Sequence, residues 1–417
     1  MAHVSANGRE AKGMTQLGRG LVPLLAIVLL PAAGCSPPER LPAVPQALQA
    51  QANVPGMPGV RYRAGRLDDL IREAIETGER ERASLGAEGQ GEHLPPVAFL
   101  AISGGGDNGA FGAGLLNGWT AKGDRPTFKL VTGISTGALI APFAFLGPSH
   151  DAKLKALYTG VSPRDILEKR NFLAAVLNDA MADNRPLWRQ LETNVNREML
   201  DAIAAEYEKG RILLVGTTDL DARQGVIWNM TRIAASRDPG ALDLFRKVMI
   251  ASAAIPGAFP PTMIDVEVDG RKYQEMHVDG GCTVQVFAYP SALTASPEVR
   301  ARMAERERRL YIIRNARLDP EWADVERKTL SIAGRAISSL IQTQGLGDLY
   351  RIYTTSRRDK VDFNLARIPS TFNAPHAEDF DPAYMRALYD EAHAMASQGY
   401  PWEKAPPGFV ADLEAAP

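Results

Sequence analysis

Gly133-Ile134-Ser135-Thr136-Gly137 follows an apolar run and precedes a helical one, the sequence form of a serine held at a sharp strand-to-helix turn. Gly133 and Gly137 remove the side chains that would collide there, so Ser135 can project its hydroxyl past a strand end toward the positive end of a helix. That is a nucleophile's position. Downstream, Met276-His277-Val278-Asp279-Gly280-Gly281 closes a segment that reads as a hairpin, with Thr262–Val268 and 271–275 on either side of an Asp269-Gly270 turn. A carboxylate at a strand end, followed by two glycines, stands open to a cleft and can take the serine proton directly, a two-residue nucleophile and base. Asp-Gly-Gly is also an ordinary turn.

A third motif lies upstream. Val97-Ala98-Phe99-Leu100-Ala101-Ile102-Ser103 reads as a buried strand and runs into Gly104-Gly105-Gly106-Asp107-Asn108-Gly109-Ala110-Phe111-Gly112-Ala113-Gly114. Glycines at this density leave backbone N–H groups bare at a helix start, a pocket for negative charge. Gly104, Gly106 and Gly109 also fit the dinucleotide spacing, which requires an acidic residue about 20 positions on, at the tip of the next strand. The corresponding stretch, 128–132, carries none and runs into the serine turn instead, and no Gly-Lys-Ser/Thr makes the glycines a P-loop.

The three motifs in this order resemble the patatin-like phospholipase family. Ala251-Ser252-Ala253-Ala254-Ile255-Pro256-Gly257-Ala258-Phe259-Pro260-Pro261 is similar to the stretch preceding the family's aspartate, as is Gly216-Thr217-Thr218-Asp219-Leu220 after an expected strand at 212–215. The resemblance covers residues 96–316. It implies that Ser135 is the acyl-accepting nucleophile, Asp279 the general base, and the backbone amides around Gly105, Gly106 and Asp107 the oxyanion hole. Where the family often carries Arg or Lys before the last glycine of that loop, this chain has Asn108. It also implies a lipid ester as substrate. A serine turn equally serves hydrolases with a Ser-acid-His triad, whose histidine comes last in the chain. His376, in a polar stretch, and His393, on an amphipathic helix at 384–397, are the late candidates, and both read as surface or packing residues. His277, two residues before Asp279 on a strand, shares its face and is a candidate neighbour of the site. His3, His93 and His150 fall in the leader or in loops.

The elements that must position these groups give an α/β fold: a central, mostly parallel sheet with helices on both faces and the motifs at strand ends. At 417 residues, with 45% hydrophobic and 23% charged, the chain can bury a large core. A net charge of −2 with no basic stripe excludes a nucleic-acid partner. No metal-ligand spacing and no cofactor motif is present, and the oligomeric state is left open.

The first 35 residues are a different material. Arg9, Lys12 and Arg19 precede the apolar 21–30, and then come Pro31-Ala32-Ala33-Gly34-Cys35. The run is short for a membrane span and suits an export signal, and small residues before a cysteine resemble the bacterial lipoprotein cleavage site. That resemblance makes residues 1–34 a signal peptide and Cys35 the lipidated N-terminus, a membrane anchor; Ser36, lacking an acidic group, directs the protein to the outer membrane of a bacterial envelope. The alternative is a plain secretory signal. Residues 35–61, with Pro37, Pro38, Pro42, Pro45, Pro55 and Pro58, read as a tether, and 62–95 as a helical segment with an apolar stripe of Leu67, Leu70, Ile71, Ala74 and Ile75. Residues 96–316 are the catalytic region, and 317–417 a helical extension and tail. Within them, Leu173, Val176, Leu177, Met181, Leu187 and Trp188 read as core, Cys282 as a buried small residue near the site, and Leu330, Ile332, Ile337, Leu340 and Ile341 as a packed helix. Pro401, Pro406 and Pro407 mark a fraying end. The functional expectation is hydrolysis of a lipid ester through an acyl-serine, set against a non-catalytic lipoprotein that binds an acyl chain or scaffolds an envelope assembly.

Overall fold

The computed structural model describes residues 40–63, 67–87, 94–169, 179–290, 293–304, 306–320 and 322–409. Eleven strands occur among them: β1 (Arg61–Arg63), β2 (Val97–Ile102), β3 (Phe128–Ile134), β4 (Glu168–Lys169), β5 (Ala182–Asp183), β6 (Ile212–Asp219), β7 (Gln224–Asn229), β8 (Thr262–Val268), β9 (Arg271–Asp279), β10 (Arg308–Arg314) and β11 (Asp362–Arg367). Nine of them form one sheet and β4 pairs with β5 in a separate ribbon. The order β6-β3-β2-β10-β11 is parallel throughout, while β1, β7, β8 and β9 join antiparallel. The expected α/β sheet is therefore the one observed.

The helices that frame the site are α1 (Leu67–Ala87), α2 (Gly109–Lys122), α3 (Thr136–Leu146), α4 (Asp151–Thr159), α5 (Arg185–Asn194), α6 (Ala241–Ser252), α7 (Thr329–Arg358) and α8 (Pro382–Ser397). The central strands read as unbroken apolar runs because both faces are covered. Leu100 and Ile102 of β2 join the large cluster under α2, α3 and α8, whereas Phe99 and Ala101 point the other way, toward Leu349 and Tyr353 of α7. On that second face α1 packs Leu70, Ile71, Ala74 and Ile75 against Leu130, Ile212 and Leu214, so its apolar stripe is a packing stripe. Among the described residues no helix is long and apolar enough to cross a membrane.

Three expectations are corrected. The proline-rich stretch is no free tether from residue 40 onward: Arg40 pairs with Asp221 at 2.7 Å, Asn53 bridges to Glu267, and Val44, Val54, Met57 and Val60 are buried. Prolines exclude a helix there without excluding packing. The last prolines do not fray before residue 409 either. Glu403 bridges to Leu365, Trp402 sits against Trp119 and Tyr311, and Tyr350 donates to the Pro407 carbonyl. The α7 residues expected to pack do not: Ile332, Ile337, Leu340 and Ile341 are exposed, the side chain of Leu330 lies outside the described ones, and it is Leu349 and Tyr353 of the second half that pack. Met181 is exposed as well, and Leu173, Val176 and Leu177 lie outside the described residues.

A buried ion network ties β1 into this frame. Arg61 and Arg63 bracket Glu275, Arg63 also reaches Asp219 at 3.0 Å, and His277 Nε2 lies 3.2 Å from Glu275. Burial pushes the Glu275 carboxyl up, but the His277 hydrogen bond and the two guanidinium groups prevail and hold it at about 2. Asp219, Glu275 and His277 could in principle hold a metal ion; the two arginines already neutralise the carboxylates. Removing the shared acceptor leaves two guanidinium groups buried without their partner, so Glu275→Ala is expected to cost about 3–5 kcal/mol in denaturant unfolding, with a far smaller loss for the exposed Glu307→Ala.

Candidate active site

The register of the sheet brings the serine and the aspartate together. β3 runs parallel to β6 as far as Ile134 opposite Gly216. β9 runs antiparallel to β6 and ends with Asp279 opposite Thr217, the next position along. Since β7 occupies the other edge of β6 from Leu214 to Asp219, β3 and β9 lie on one edge and meet end to end. Ser135 is the residue after β3, and Asp279 the last of β9. Both are buried, at 6% and 5% exposure.

Ser135 adopts φ 55° and ψ −125°, a left-handed conformation that a non-glycine residue holds only where its surroundings enforce it. They do so through backbone contact. A Cβ on Gly133 would meet the Gly137 carbonyl at 2.4 Å, and one on Gly137 would meet the Ile102 carbonyl at 2.3 Å. The Ser135 N–H donates to Ser252 Oγ at 2.9 Å, and that hydroxyl donates to the Gly216 carbonyl at 2.7 Å, pinning the turn to α6 and β6. Ser135 also caps α3, whose N-terminus faces it.

The Asp279 carboxyl is oriented by Gly281 N–H, which donates to Oδ1 at 2.7 Å, while Oδ2 is buried with no hydrogen-bond partner among the described residues. Burial pushes the carboxyl up to about 6 against the opposing pull of the Ser135 hydroxyl and the Gly281 N–H. The serine hydroxyl and the carboxyl are thus neighbours whose hydrogen bond is not closed at full strength. An unengaged carboxylate oxygen beside a serine hydroxyl is what proton abstraction requires.

The glycine loop completes the arrangement. A Cβ on Gly104 would stand 3.1 Å from Ser135 Cβ, so the loop passes directly beside the serine. Gly105 has φ 157° and Gly106 φ 59°, and the N–H groups of Gly105, Gly106 and Asp107 donate to no described acceptor. Asn315, just past β10, holds this loop. Its side chain accepts from Gly112 N–H and donates to the Ser103 carbonyl, and its own N–H donates to Ser103 Oγ. Asp107 faces away from the serine into the C-terminal extension, where Oδ2 accepts from His376 Nε2 at 2.8 Å and from Phe380 N–H at 2.9 Å. Asn108, which stands where a cation was expected, accepts from Tyr384 OH at 2.6 Å.

Ser135 and Gly106 open onto a cavity lined by Leu139, Phe143, Leu157, Leu191, Phe259 and Phe380. Leu187, read from the sequence as core, lines it too. None of the three candidate histidines meets the serine or Asp279 by hydrogen bond. His277 is engaged by Thr217 Oγ1 and Glu275, His376 by Asp107, and His393 stacks on Tyr389 of α8. Cys282 is exposed, not buried as expected, because the chain turns outward after Asp279. Its thiol is pushed up to about 11 by desolvation and then by the Asp279 charge, so it is protonated at neutral pH. Cys35 lies outside the described residues. Asn315 carries a part of the site that no sequence motif marked, its one signal being its place at the end of a central strand, while Ser252 lay in the marked stretch 251–261 without a role assigned to it.

Residues 100–288 match the patatin-like phospholipase family model. The matched region contains both Ser135 and Asp279, while β10, Asn315 and the C-terminal extension lie beyond it. No curated protein matches the chain. The crystal structure of VipD from Legionella pneumophila superposes on 74% of this chain and 67% of its own, at 11% identity and a TM-score of 0.34.

Because the folded Asp279 titrates at about 6 against an ordinary carboxylate value near 4, its contribution to stability is fully present below about pH 4 and is lost as pH rises through about 6. Asp279→Asn keeps the acceptor for Gly281 N–H and removes the charge. It is expected to be more stable than the wild type at pH 8 by up to about 3 kcal/mol, with the gap closing toward pH 4, as measured by denaturant unfolding at several pH values.

Proposed function

We propose that this protein hydrolyses carboxylic esters of lipids, as a phospholipase A-type serine hydrolase with Ser135 as nucleophile and Asp279 as general base. The observation that carries the proposal is the end-to-end meeting of β3 and β9, which sets Ser135 beside a buried Asp279 oxygen that nothing else uses. The match of residues 100–288 to patatin-like phospholipases supports the substrate class.

In this mechanism Ser135 Oγ attacks the ester carbonyl carbon while its proton passes to Asp279 Oδ2. The oxyanion that forms is received by the unused N–H groups of Gly105, Gly106 and Asp107, reinforced by the N-terminus of α3. Collapse breaks the ester C–O bond, and the leaving alcohol takes the proton from Asp279. Water then attacks the acyl-serine, Asp279 accepts its proton, and the fatty acid departs as the proton returns to Ser135 Oγ. The acyl chain occupies the cavity between α3, α4 and α5, whose mostly apolar walls fit hydrocarbon and which meets the serine and the glycine loop at one side.

A fluorophosphonate probe is expected to label Ser135, and Ser135→Ala to abolish ester turnover with the circular dichroism spectrum retained. Asp279→Asn is expected to lose several orders of magnitude in kcat. Wild-type kcat should rise with pH through about 6, since only the deprotonated carboxylate is a base. His376→Ala and His393→Ala should each keep activity within about tenfold; near-total loss in either, with the fold intact, would place the protein among triad hydrolases.

The basic leader, the short apolar run and Cys35 support envelope anchoring through a lipidated N-terminal cysteine, in the outer membrane. Mass spectrometry of the mature protein should find an acylated Cys35 at the N-terminus, and Cys35→Ser should block processing; an unmodified Cys35 in a freely soluble mature chain would rule the anchor out.

A further inference from the structure

The N-terminal half of α7 is amphipathic the wrong way round for a packed helix. Its partly buried residues are the polar Ser331, Arg335 and Gln342, recurring on one side, and Gln342 Nε2 donates to the Asp319 carbonyl at 2.9 Å. The aliphatic side chains face outward: Ile332 is 51% exposed, Ile337 53% and Leu340 70%. Trp322, in the segment leading into the helix, is 88% exposed. Between Thr329 and Gly347 Arg335 is the sole charged residue of the sequence, so water is offered an unusually apolar surface.

The direction of the helix places this surface. At its C-terminal end Asp359 receives the Thr294 hydroxyl, and β11 then begins with Asp362 opposite Arg309 near the start of β10. Further back, Asp348 accepts from Gln285 N–H, and Gly345 lies against Arg314, the last residue of β10, so close that a Cβ there would come within 2.5 Å of Nη2. The helix therefore runs antiparallel to the central strands and passes their C-terminal ends at Gly345. The stretch from Gly345 back to Thr329 extends about 24 Å at the usual rise of 1.5 Å per residue. That is the end of the sheet at which Ser135, the glycine loop and Asp279 stand.

We propose that this half of α7, with Trp322 at its base, docks the enzyme on the surface of aggregated lipid and so presents the mouth of the Ser135 cavity to ester molecules in that surface. The proposal rests on the lipid-hydrolase reading of the site and adds the means by which an aggregated substrate is engaged. A lipid surface fits the observations better than a second copy of the chain. Aliphatic side chains turned outward, an absence of acidic residues from 329 to 347 and an exposed tryptophan suit a helix face set into a headgroup boundary. A second protein body covering the arm would also stand across the end of the sheet where the ester enters.

The test uses the full mature chain and phosphatidylcholine vesicles with brominated acyl chains, which quench tryptophan on contact. Wild-type emission is expected to fall on adding vesicles, and the part of the fall due to the arm to disappear in Trp322→Phe. Ile337→Asp/Leu340→Asp is expected to lose that quenching and at least tenfold of its activity on vesicle ester, with activity on a monomeric short-chain ester within twofold of wild type. If the aspartates disturb folding, as loss on the monomeric ester would show, Ile337→Ser/Leu340→Ser takes their place. Quenching that is absent, or identical in Trp322→Phe, overturns the proposal. So does a wild-type dimer that the double variant dissociates while vesicle activity is unchanged, which assigns the surface to a second copy. Failure of every variant, wild type included, on both esters would refute the hydrolase reading, while the quenching still decides whether the arm meets lipid.

Discussion

Two strands arrive head-on along one edge of β6, and the junction between them has no room for side chains on the backbone that forms it. Gly133, Gly137, Gly216 and Gly280 all sit there, and a Cβ on any of them would come within 2.5 Å of a neighbouring atom. The absence of those four Cβ atoms lets β3, β6, β9 and the start of α3 share one small volume. Everything reactive follows from that crowding. Ser135 is forced into a left-handed turn that it would not otherwise adopt, and Asp279 is sealed from water beside it. Desolvation then raises the carboxyl to about 6, although this residue type is normally ionised well below neutrality.

The rest of the structure supports this junction from a distance. Ser252 ties the serine's own backbone to β6, Asn315 fixes the glycine loop to β10, and Asp107 anchors the same loop to the C-terminal extension through His376 and Phe380. Geometry of this kind must be held within fractions of an ångström, and side chains locked by several partners achieve it better than a loop alone. Phe380 does two things at once, since its N–H reaches Asp107 while its ring closes the apolar cavity.

How much of this was readable in the residues depends on the range of the interaction concerned. The serine turn, the glycine loop, the hairpin at Asp269-Gly270 and the central strands are written in local chemistry: glycines where the backbone must cross, unbroken apolar runs where both faces are covered. The pairing of Ser135 with Asp279 was legible as two motifs suited to one reaction, though the sequence holds no mark of the strand register that joins them. Tertiary contacts prevailed where composition misled. Prolines at residues 40–61 suggested a loose tether, yet Val44, Val54, Met57 and Val60 find a groove and are buried. In α7 the helical period was correctly a sign of a helix, but periodicity reports that a helix has an apolar face and says nothing about what lies opposite it. Asn315 could not be selected in advance, and His376 was weighed only as a triad histidine, because their significance comes from the loop they touch, some two hundred residues away or more.

The far placement of those supports gives the site an order of assembly in time. A chain grows from its N-terminus, and one that has emerged only as far as Asp279 already contains both reacting groups. It still lacks β10, which lies between β2 and β11, as well as Asn315 beneath the glycine loop and the extension that holds Asp107 and closes the cavity. Until these last segments are made, Ser135 and Asp279 stand without the side chains that hold the glycine loop and without the Phe380 wall of the cavity. On the proposed function, competence to cut an ester is thereby postponed to the end of synthesis.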